Sequence, residues 1–219
     1  NKEAIICGWN LINKKIKKYK TNFIPVDSEH FSIWSLLQNN LHSNIEKVYI
    51  TASGGPFLKL PKEKFHMISI KKALKHPNWK MGKKISIDSA TLMNKLFELI
   101  EAKNIFNIPY KKISVLTHPD SYVHAIVKFT NGLTKILIHD TSMKIPIFNS
   151  LYFKDTSKTI VSKELNVHKL NNLCFLKPDL KKFPALDIIK MLPKKLSLFE
   201  TVLVTVNDEV VKLFLNKKV

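Results

Sequence analysis

The sequence predicts an α+β protein, a mixed sheet flanked by helices and followed by a partial C-terminal helical segment. Strand-like runs alternate with helical periodicity over the first hundred residues, and Asn131-Gly132 separates two β-rich runs further on. A chain of 219 residues with 45% hydrophobic content can fill the core of one large domain or two small ones. We therefore expect a folded globular protein.

The first forty residues predict a helix, a short strand and a second helix. Apolar residues recur at mainly helical spacing from Lys2 to about Lys20, which is typical of an amphipathic helix. The apolar run Phe23 to Val26 predicts a strand that leads into Asp27-Ser28-Glu29, and the next helix has apolar positions as far as Leu41. Carboxylates at a strand-to-helix junction often belong to a functional site.

The middle of the chain repeats the pattern of a strand followed by a polar loop and then becomes helical. The strand Val48 to Ala52 leads into Ser53-Gly54-Gly55-Pro56. Apolar positions predict a helix from Ser89 to Ala102, and either Ser89 or Thr91 is its candidate N-cap.

The last third predicts a hairpin, a connecting segment and further helix. The β-rich runs Tyr122 to Phe129 and Leu133 to Ile138 form the hairpin, because Asn-Gly favours its tight turn. The polar, lysine-rich residues 154–170 are expected to form a linker or a long loop. Pro184 is a good first-turn residue and opens a helical pattern that runs to Leu192.

The charge of the chain is strongly positive. Lysine and arginine number 36 against 17 acidic residues, which gives a formal charge of +19. A field of this sign could gather phosphates or nucleic acid. The lysines are scattered among isoleucine and asparagine, however, whereas nucleic-acid-binding proteins concentrate arginine and aromatic residues on one element. We expect lysine-rich solvated faces, and a basic binding module stays open as the alternative.

Sequence features also bear on the cellular compartment. No apolar run approaches the roughly 20 residues needed to cross a membrane, and the first residues lack the layout of a signal peptide. Cys7 and Cys174 are too few for a disulfide scaffold, and their apolar neighbours predict two reduced core residues. We expect an intracellular protein.

A candidate metal site begins with Asp27 and Glu29. One residue separates them, so both carboxylates can converge on a hard cation such as Mg²⁺ or Mn²⁺, and Ser28 can add an oxygen. A solvated turn in which Asp27 or Ser28 caps the following helix explains the same residues. Glu98 offers a third carboxylate, although it could equally form an ordinary surface pair with Lys95.

Candidate phosphate ligands lie nearby in the sequence. Hydroxyl, amide and ammonium donors near a helix N-terminus make a site for a dianion, although Ser-Gly-Gly-Pro can also be simply a turn. The candidates are Ser53 with Gly54 and Gly55, Ser89, Asn94 and Lys95.

A lid over that site is predicted between His76 and Gly82. This segment combines an imidazole, the indole of Trp79 and a glycine hinge, although Trp79 and Met81 could instead be core anchors. Neither GxGxxG nor GxxxxGK[ST] occurs in the chain, so no usual nucleotide-binding fingerprint is present. We therefore expect residues 1–219 alone to show neither saturable binding of a nicotinamide nucleotide nor turnover that depends on one.

Three motifs follow one another in an order found in one enzyme family. They are PVDSEH at residues 25–30, SGGPF at 53–57 and HPNWKMGKKISIDSATLMNK at 76–95. On these motifs the chain resembles the catalytic region of the 1-deoxy-D-xylulose 5-phosphate reductoisomerase family. It departs from the family's pattern at Leu96, at Asp120 and in residues 139–144. Within 139–144, Met143 matches the pattern and Lys144 is a conservative replacement.

The resemblance implies an oxidoreductase and isomerase of non-mevalonate isoprenoid biosynthesis. The implied reaction rearranges 1-deoxy-D-xylulose 5-phosphate and reduces it with NADPH to 2-C-methyl-D-erythritol 4-phosphate. The implied Mg²⁺ or Mn²⁺ ligands are Asp27, Glu29 and Glu98, which count as catalytic together with Lys2 and His76. The implied substrate contacts are Ser28, Ser53, His76, Trp79, Ser89, Asn94 and Lys95. The implied cofactor contacts are Lys2, Glu3, Met81 and Gly82.

The resemblance also implies a division of the chain and a setting for it. Residues 1–22 would end an NADPH-binding domain or form a connecting helix, and 23–153 would be the metal- and substrate-binding domain. Residues 154–170 would link it to a partial C-terminal helical region, 171–219. A homodimer in the bacterial cytoplasm or a plastid-type organelle is expected, with a catalytically inactive relative as the alternative.

Overall fold

A four-stranded mixed sheet forms the centre of the protein. The computed structural model describes residues 1–38, 44–193 and 197–219. The strands are β1 (Ile45–Ala52), β2 (Ile113–Thr117), β3 (Val123–Phe129) and β4 (Thr134–Ile138), in the order β2-β1-β3-β4. β1 runs parallel to β2 and antiparallel to β3, and β3 and β4 are antiparallel. The predicted mixed sheet flanked by helices is confirmed.

Helices precede, separate and follow the strands. The α-helices are α1 (Lys2–Tyr19), α2 (Ser28–Leu37), α3 (Ile70–Ala73), α4 (Lys83–Ala90), α5 (Met93–Phe106), α6 (Lys144–Leu151), α7 (Val167–Asn171) and α8 (Phe199–Leu215). Three 3₁₀ segments lie at Lys62–Met67, Tyr110–Lys112 and Pro184–Lys190. Among the described residues, no helix combines the length and the apolar character that crossing a membrane would require.

The core is built around α5. This helix contacts α1, α4, β1, β2 and the 3₁₀ segment Pro184–Lys190, so it is surrounded by protein on nearly all sides. Leu96, Phe97 and Ile100 are completely buried on it. A polar side chain on such a helix must find a partner inside the protein.

The β3–β4 hairpin is confirmed. Thr130-Asn131-Gly132 joins the two strands, and Gly132 has φ +86°, a left-handed conformation that glycine adopts without a steric penalty. At the turn, the backbone N–H of Phe129 donates to the carbonyl of Leu133 at 2.8 Å.

Lys84 fastens three helices together. Its ammonium nitrogen lies 3.2 Å from a Glu3 oxygen on α1, 2.9 Å from Asp88 on its own helix α4, and 3.1 Å from Asp208 on α8. Asn207 of α8 also donates to Asp88 at 2.8 Å. The two ends of the chain therefore meet at α4.

Two predicted elements need correction. Residues 23–26 form no strand, because Phe23 packs edge-to-face on Trp9 of α1 and Pro25 has no N–H for a sheet ladder. The predicted helix from Ser89 is really two helices, because Leu92 adopts φ +59° between α4 and α5. Leu41, expected in the second helix, lies outside the described residues.

The predicted environment of the cysteines is also wrong. Cys7 and Cys174 are both free and exposed. Cys7 points outward from the amphipathic helix α1. Cys174 belongs to an irregular segment, and its backbone carbonyl accepts a hydrogen bond from the His118 ring at 2.9 Å. Apolar neighbours in the sequence did not place either side chain in the core.

Candidate active site

One pocket brings most of the predicted site residues together. It measures about 280 Å³ and is bounded by α2, the end of β1, the loop before α4 and one face of α5. The residues that line it are Asp27, Ser28, Glu29, Thr51, Ser53, His76, Trp79, Lys80, Met81, Ile85, Ser89, Asn94, Lys95, Glu98, Ser121, His124 and Met143.

Three carboxylates form the acidic end of the pocket. Asp27 is the N-cap of α2 and accepts a hydrogen bond from the backbone N–H of Glu29 at 3.3 Å. Glu98 extends from the buried part of α5, and one oxygen from each of the three carboxylates lies within 4.8 Å of the others. The capping role and the ligand role predicted for Asp27 are therefore compatible.

This set of oxygens fits a divalent cation. Carboxylates are the ligands that Mg²⁺ and Mn²⁺ prefer in proteins. The Asn94 side chain donates to Glu98 at 2.5 Å, and the buried amide oxygen of Asn94 has no hydrogen-bond partner within the described part of the chain. A cation added at this end would meet three carboxylates and an unused amide oxygen.

Lys95 supplies positive charge at the same end. Its ammonium group donates to Glu29 and, at 2.8 Å, to Oε2 of Glu98. Burial and the neighbouring Glu29 raise the pKa of Glu98 to about 8. Burial alone would lower the pKa of Lys95, but attraction to Glu29 and Glu98 raises it above its ordinary value. Lys95 therefore stays a cation at neutral pH.

A second buried ionic group extends the acidic end toward α1. Lys2 donates to Asp27 at 3.0 Å and to Glu101 at 2.7 Å, and Glu101 is only 1% exposed. His30 is completely buried, donates to the backbone carbonyl of Glu98 at 3.0 Å, and lies 3.4 Å from Asp27. Burial disfavours the imidazolium, but Glu101 and Asp27 outweigh burial and raise the pKa of His30 to about 9.

The other end of the pocket carries neutral donors. Nδ1 of His76 accepts the backbone N–H groups of Asn78 and Trp79 at 3.1 and 2.9 Å, so the proton of the neutral ring is on Nε2. Nε2 then donates to the Ser53 hydroxyl at 3.0 Å, and Gly55 N–H donates to the same oxygen at 3.1 Å. Because Ser53 accepts twice here, its own hydroxyl proton is left to point at a ligand.

Burial keeps His76 in that neutral form. Desolvation and the nearby Lys95 lower the pKa of His76 to about 4. Ser89, also at this end, lies in the last turn of α4 rather than at a helix start, so its hydroxyl acts without help from that helix dipole. The N-terminal turn that favours an anion is instead the first turn of α5, which holds Asn94 and Lys95.

The loop from residue 75 to 82 closes one side of the pocket. Trp79 is half-buried and meets the His124 ring edge-on, with centroids 6.3 Å apart. Asn78 ties the loop to the start of the hairpin by donating to Pro119 O at 2.6 Å and to Ser121 Oγ at 2.8 Å. The loop has the position expected of a lid, and its mobility stays a prediction.

Comparison with known proteins identifies the family. The profile of the 1-deoxy-D-xylulose 5-phosphate reductoisomerase C-terminal domain matches residues 23–106, and that of the DXP reductoisomerase C-terminal domain matches residues 139–219. The chain belongs to the 1-deoxy-D-xylulose 5-phosphate reductoisomerase family.

Relatives within this reductoisomerase family cover the whole chain. The 1-deoxy-D-xylulose 5-phosphate reductoisomerases of Pelagibacter ubique (strain HTCC1062) and Persephonella marina (strain DSM 14350 / EX-H1) are 64% and 46% identical to it over 219 residues. The chain covers 56% and 57% of their respective lengths. It thus spans a little over half of the curated relatives it matches.

Solved reductoisomerase structures share the fold. A DOX-P reductoisomerase in complex with NADPH, fosmidomycin and magnesium superposes with a TM-score of 0.89 at 36% identity, over 100% of this chain and 56% of that one. The enzyme from Zymomonas mobilis in complex with NADPH gives 0.91 at 33% identity, again over 100% of this chain and 56% of that one.

The reductoisomerase residues predicted from sequence fall into two groups. Those that line the pocket are Asp27, Ser28, Glu29, Ser53, His76, Trp79, Met81, Ser89, Asn94, Lys95 and Glu98. Lys2 lies beside the pocket through its contact with Asp27. Glu3 pairs with Lys84 at 3.2 Å and Gly82 is the N-cap of α4, so neither lines the pocket.

Sequence reasoning missed several residues of the site. Thr51, Lys80, Ile85, Ser121, His124 and Met143 also line the pocket, and His30 and Glu101 stand behind the carboxylates. A signal for Glu101 exists: with Lys95 and Glu98 it forms a charged row at three-residue spacing along α5. Leu96, one of the departures from the family pattern, is buried in the core, and Met143, which is kept in residues 139–144, reaches the pocket.

Proposed function

We propose that the protein is an NADPH- and divalent-metal-dependent reductoisomerase that converts 1-deoxy-D-xylulose 5-phosphate to 2-C-methyl-D-erythritol 4-phosphate in non-mevalonate isoprenoid biosynthesis. The observation that carries this proposal is one pocket with three converging carboxylates and the Lys95 ammonium group at one end, and serine and imidazole donors at the other. A substrate with a phosphate at one end and adjacent oxygens at the other matches that polarity.

Asp27, Glu29 and Glu98 would hold Mg²⁺ or Mn²⁺. When bound, such an ion acts as a Lewis acid and a template for the substrate oxygens. The support in this chain is the distance limit of 4.8 Å among the three carboxylates and the position of Asp27 and Glu98 on two different, well-packed helices. The choice between the two ions stays open in the proposal.

The phosphate would bind at the donor end. Ser53 has a free hydroxyl proton, Lys95 is cationic, and Asn94 and Lys95 lie in the N-terminal turn of α5. His76 would hold Ser53 in place as a neutral donor. Ser28 and Ser89 line the same pocket and would add hydroxyl contacts.

The remaining residues would organise the reacting part of the substrate. Attraction to Asp27 and Glu101 outweighs burial and raises the pKa of Lys2, so Lys2 donates hydrogen bonds and does not act as a base at neutral pH. Trp79 and Met81 would exclude water above the substrate. NADPH supplies the hydride, and Met81 is the best supported of its proposed contacts because it lines the pocket, whereas Glu3 and Gly82 do not.

Two wider proposals accompany the activity. Homologues described as bacterial reductoisomerases support the bacterial cytoplasm as the location, with a plastid as the alternative. A homodimer is proposed for the complete protein on the same family grounds. The formal charge of +19 is the single observation that favours a second function, binding of phosphate polymers such as nucleic acid.

Substrate-dependent oxidation of NADPH by the complete protein tests the proposal. We expect turnover with Mn²⁺ or Mg²⁺, and its loss in Glu98→Gln. Glu46→Gln is the control, because Glu46 is an exposed carboxylate that pairs with Lys128 on the sheet. Metal-dependent binding of a phosphonate without NADPH oxidation would identify an inactive relative. Salt-sensitive binding of nucleic acid, with neither metal nor substrate binding, would favour the basic binding module.

A further inference from the structure

Lys95 binds the same carboxylates that are proposed to bind the metal. Its ammonium group donates to Glu29 and to Glu98, and these are its ion pairs among the described residues. The side chain is 10% exposed, so little water is present to replace a lost partner. In the arrangement seen here, Lys95 supplies the positive charge that a divalent ion would otherwise supply.

Lys2 offers an instructive contrast. It also touches the acidic end, at 3.0 Å from Asp27 and 3.8 Å from Glu98, but its shortest contact is with Glu101 at 2.7 Å. Glu101 does not belong to the carboxylate trio of Asp27, Glu29 and Glu98. Lys2 therefore keeps a buried partner of its own when Asp27 binds something else, whereas Lys95 has no such reserve.

An ion that binds Glu29 and Glu98 competes with Lys95 for their oxygens. A buried ammonium group that loses its carboxylates must find another anion, because leaving it unpaired in the interior is costly. The surrounding donors, Ser53, Ser89 and Asn94, line the same pocket and would gather an anion near Lys95. A phosphate group could therefore accept the ammonium group that the ion displaces.

We propose that Lys95 is a placeholder for the divalent ion and exchanges between the Glu29–Glu98 pair and the phosphate group of the ligand. Binding of the ion and binding of the phosphate group then strengthen each other by the same factor, as linkage requires. This inference rests on the proposed function, because it assumes the metal site and the phosphate site described there.

Calorimetric titration of the complete protein with Mn²⁺ tests the exchange. The titration is run alone and with saturating propylphosphonate, which carries a phosphonate but no chelating group. We expect the phosphonate to lower the dissociation constant for Mn²⁺ about 10-fold, within the range of about 5- to 150-fold usual for coupled sites. Titrating the phosphonate with and without Mn²⁺ should give the same factor.

Lys95→Met should separate the two effects of the lysine. Removing the competitor should make Mn²⁺ bind several-fold more tightly in the absence of phosphonate, and phosphonate should then change the Mn²⁺ affinity less than about 2-fold. Lys2→Met is the matched control: it also removes a cation beside Asp27 but should keep the coupling factor of the wild type. Lys95→Arg keeps a cation and should keep the sign of the coupling.

The outcomes are distinguishable. The placeholder role is wrong if Lys95→Met binds Mn²⁺ no more tightly than the wild type, or if it keeps the full coupling factor. Thermal unfolding guards against a folding defect, since Mn²⁺ should raise the melting temperature of Lys95→Met more than that of the wild type. If instead Asp27→Asn leaves Mn²⁺ binding unchanged, the metal site itself, and with it the proposed function, is lost.

Discussion

The two ends of the pocket are built on different principles. The acidic end consists of charged groups at the start of α2 and on α5. Glu98 is buried, Asp27 and Glu29 are partly buried, and ion pairs such as Lys2 with Glu101 support them. The donor end consists of neutral groups on a loop after β1 and at the end of α4, with His76 kept uncharged by burial. A buried charge needs partners held in fixed positions, whereas neutral hydrogen-bond donors on loops can adjust their positions to a ligand.

The largest effect should come from weakening the acidic end. Asp27→Asn preserves the N-cap, because Asn caps as well as Asp, but removes one charged ligand and one of the carboxylate partners of Lys2. We expect Mn²⁺ affinity to fall at least about 100-fold, since even changes outside the ligand shell cost about 10- to 100-fold. Calorimetry measures the Mn²⁺ affinity, and Asp155→Asn is the control because Asp155 is exposed. Unchanged affinity would remove Asp27 from the metal site.

The second largest effect is expected for Lys95, because this residue is proposed to contact both the carboxylates and the phosphate group. With Mn²⁺ saturating, Lys95→Ala should weaken a hydroxamate-phosphonate ligand by roughly 1.5–3 kcal/mol, which is the range for a lost charge-assisted hydrogen bond. The measurement is a ligand titration at fixed Mn²⁺, with the exposed Lys128→Ala as the control. An equal affinity in both variants would mean that the phosphonate does not reach Lys95.

A backbone change probes the donor end alone. Gly55 has φ +66°, and a Cβ there would lie 2.8 Å from the Ser89 carbonyl oxygen, so Gly55→Ala strains the loop that carries Ser53. We expect a loss of about 1–3 kcal/mol of unfolding free energy. Gly82→Ala is the matched control, because nothing lies within 4 Å of its Cβ and its φ is ordinary. Urea denaturation of both variants checks this, and equal stabilities would contradict it.

The neutral histidine on the donor side of the pocket predicts that the unfolding free energy depends on pH. Burial and the stacked His139 ring lower the pKa of His124 from 6.5 to about 3. The neutral ring stabilises the fold fully above pH 6.5, and this contribution is lost as pH falls toward 3, by up to about 1.4 kcal/mol per pH unit. The unfolding free energy of His124→Asn should fall less steeply between pH 6 and 5. An identical slope would mean that His124 does not titrate this way.

The smallest expected effect is optical. Trp79 is half-buried at the pocket, so closure over a ligand should shift its emission by a few nanometres to the blue. In a Trp9→Phe, Trp34→Phe variant, Trp79 is the one tryptophan left in this chain, so the fluorescence comes from Trp79. Emission that is already blue-shifted and protected from quenchers in the free protein would mean that the loop does not open.

Local patterns were enough to predict β1 and the hairpin, but not strand β2 or the break between α4 and α5. The β3–β4 turn depends on adjacent residues, whereas Leu92 adopts φ +59° within a run of helix-forming residues. Its side chain is 2% exposed, so tertiary packing overrides local preference at this point. The false strand at residues 23–26 failed similarly, since helix α1 supplied its packing partner.

The same distinction applies to the site. Asp27, Glu29 and Glu98 were predicted as metal ligands from the family resemblance, because local spacing alone fits a capped turn and a surface pair equally well. The fold brings one oxygen of each within 4.8 Å of the others. Glu101 was missed because its partner Lys2 is 99 residues away, so its spacing from Lys95 and Glu98 on α5 did not reveal that partner. Contacts of this kind become visible only once α1 is packed on α5.

Lys84 acts as a non-covalent staple. By joining Glu3 to Asp208 it closes a loop of about two hundred residues, and chain-closure entropy of this size normally requires a strong link. The staple sits on α4, the helix whose last turn carries Ser89. A displacement of α8 would therefore be transmitted through α4 to Ser89 in the pocket, and cleavage near Glu3 or Asp208 should change the pocket first at Ser89.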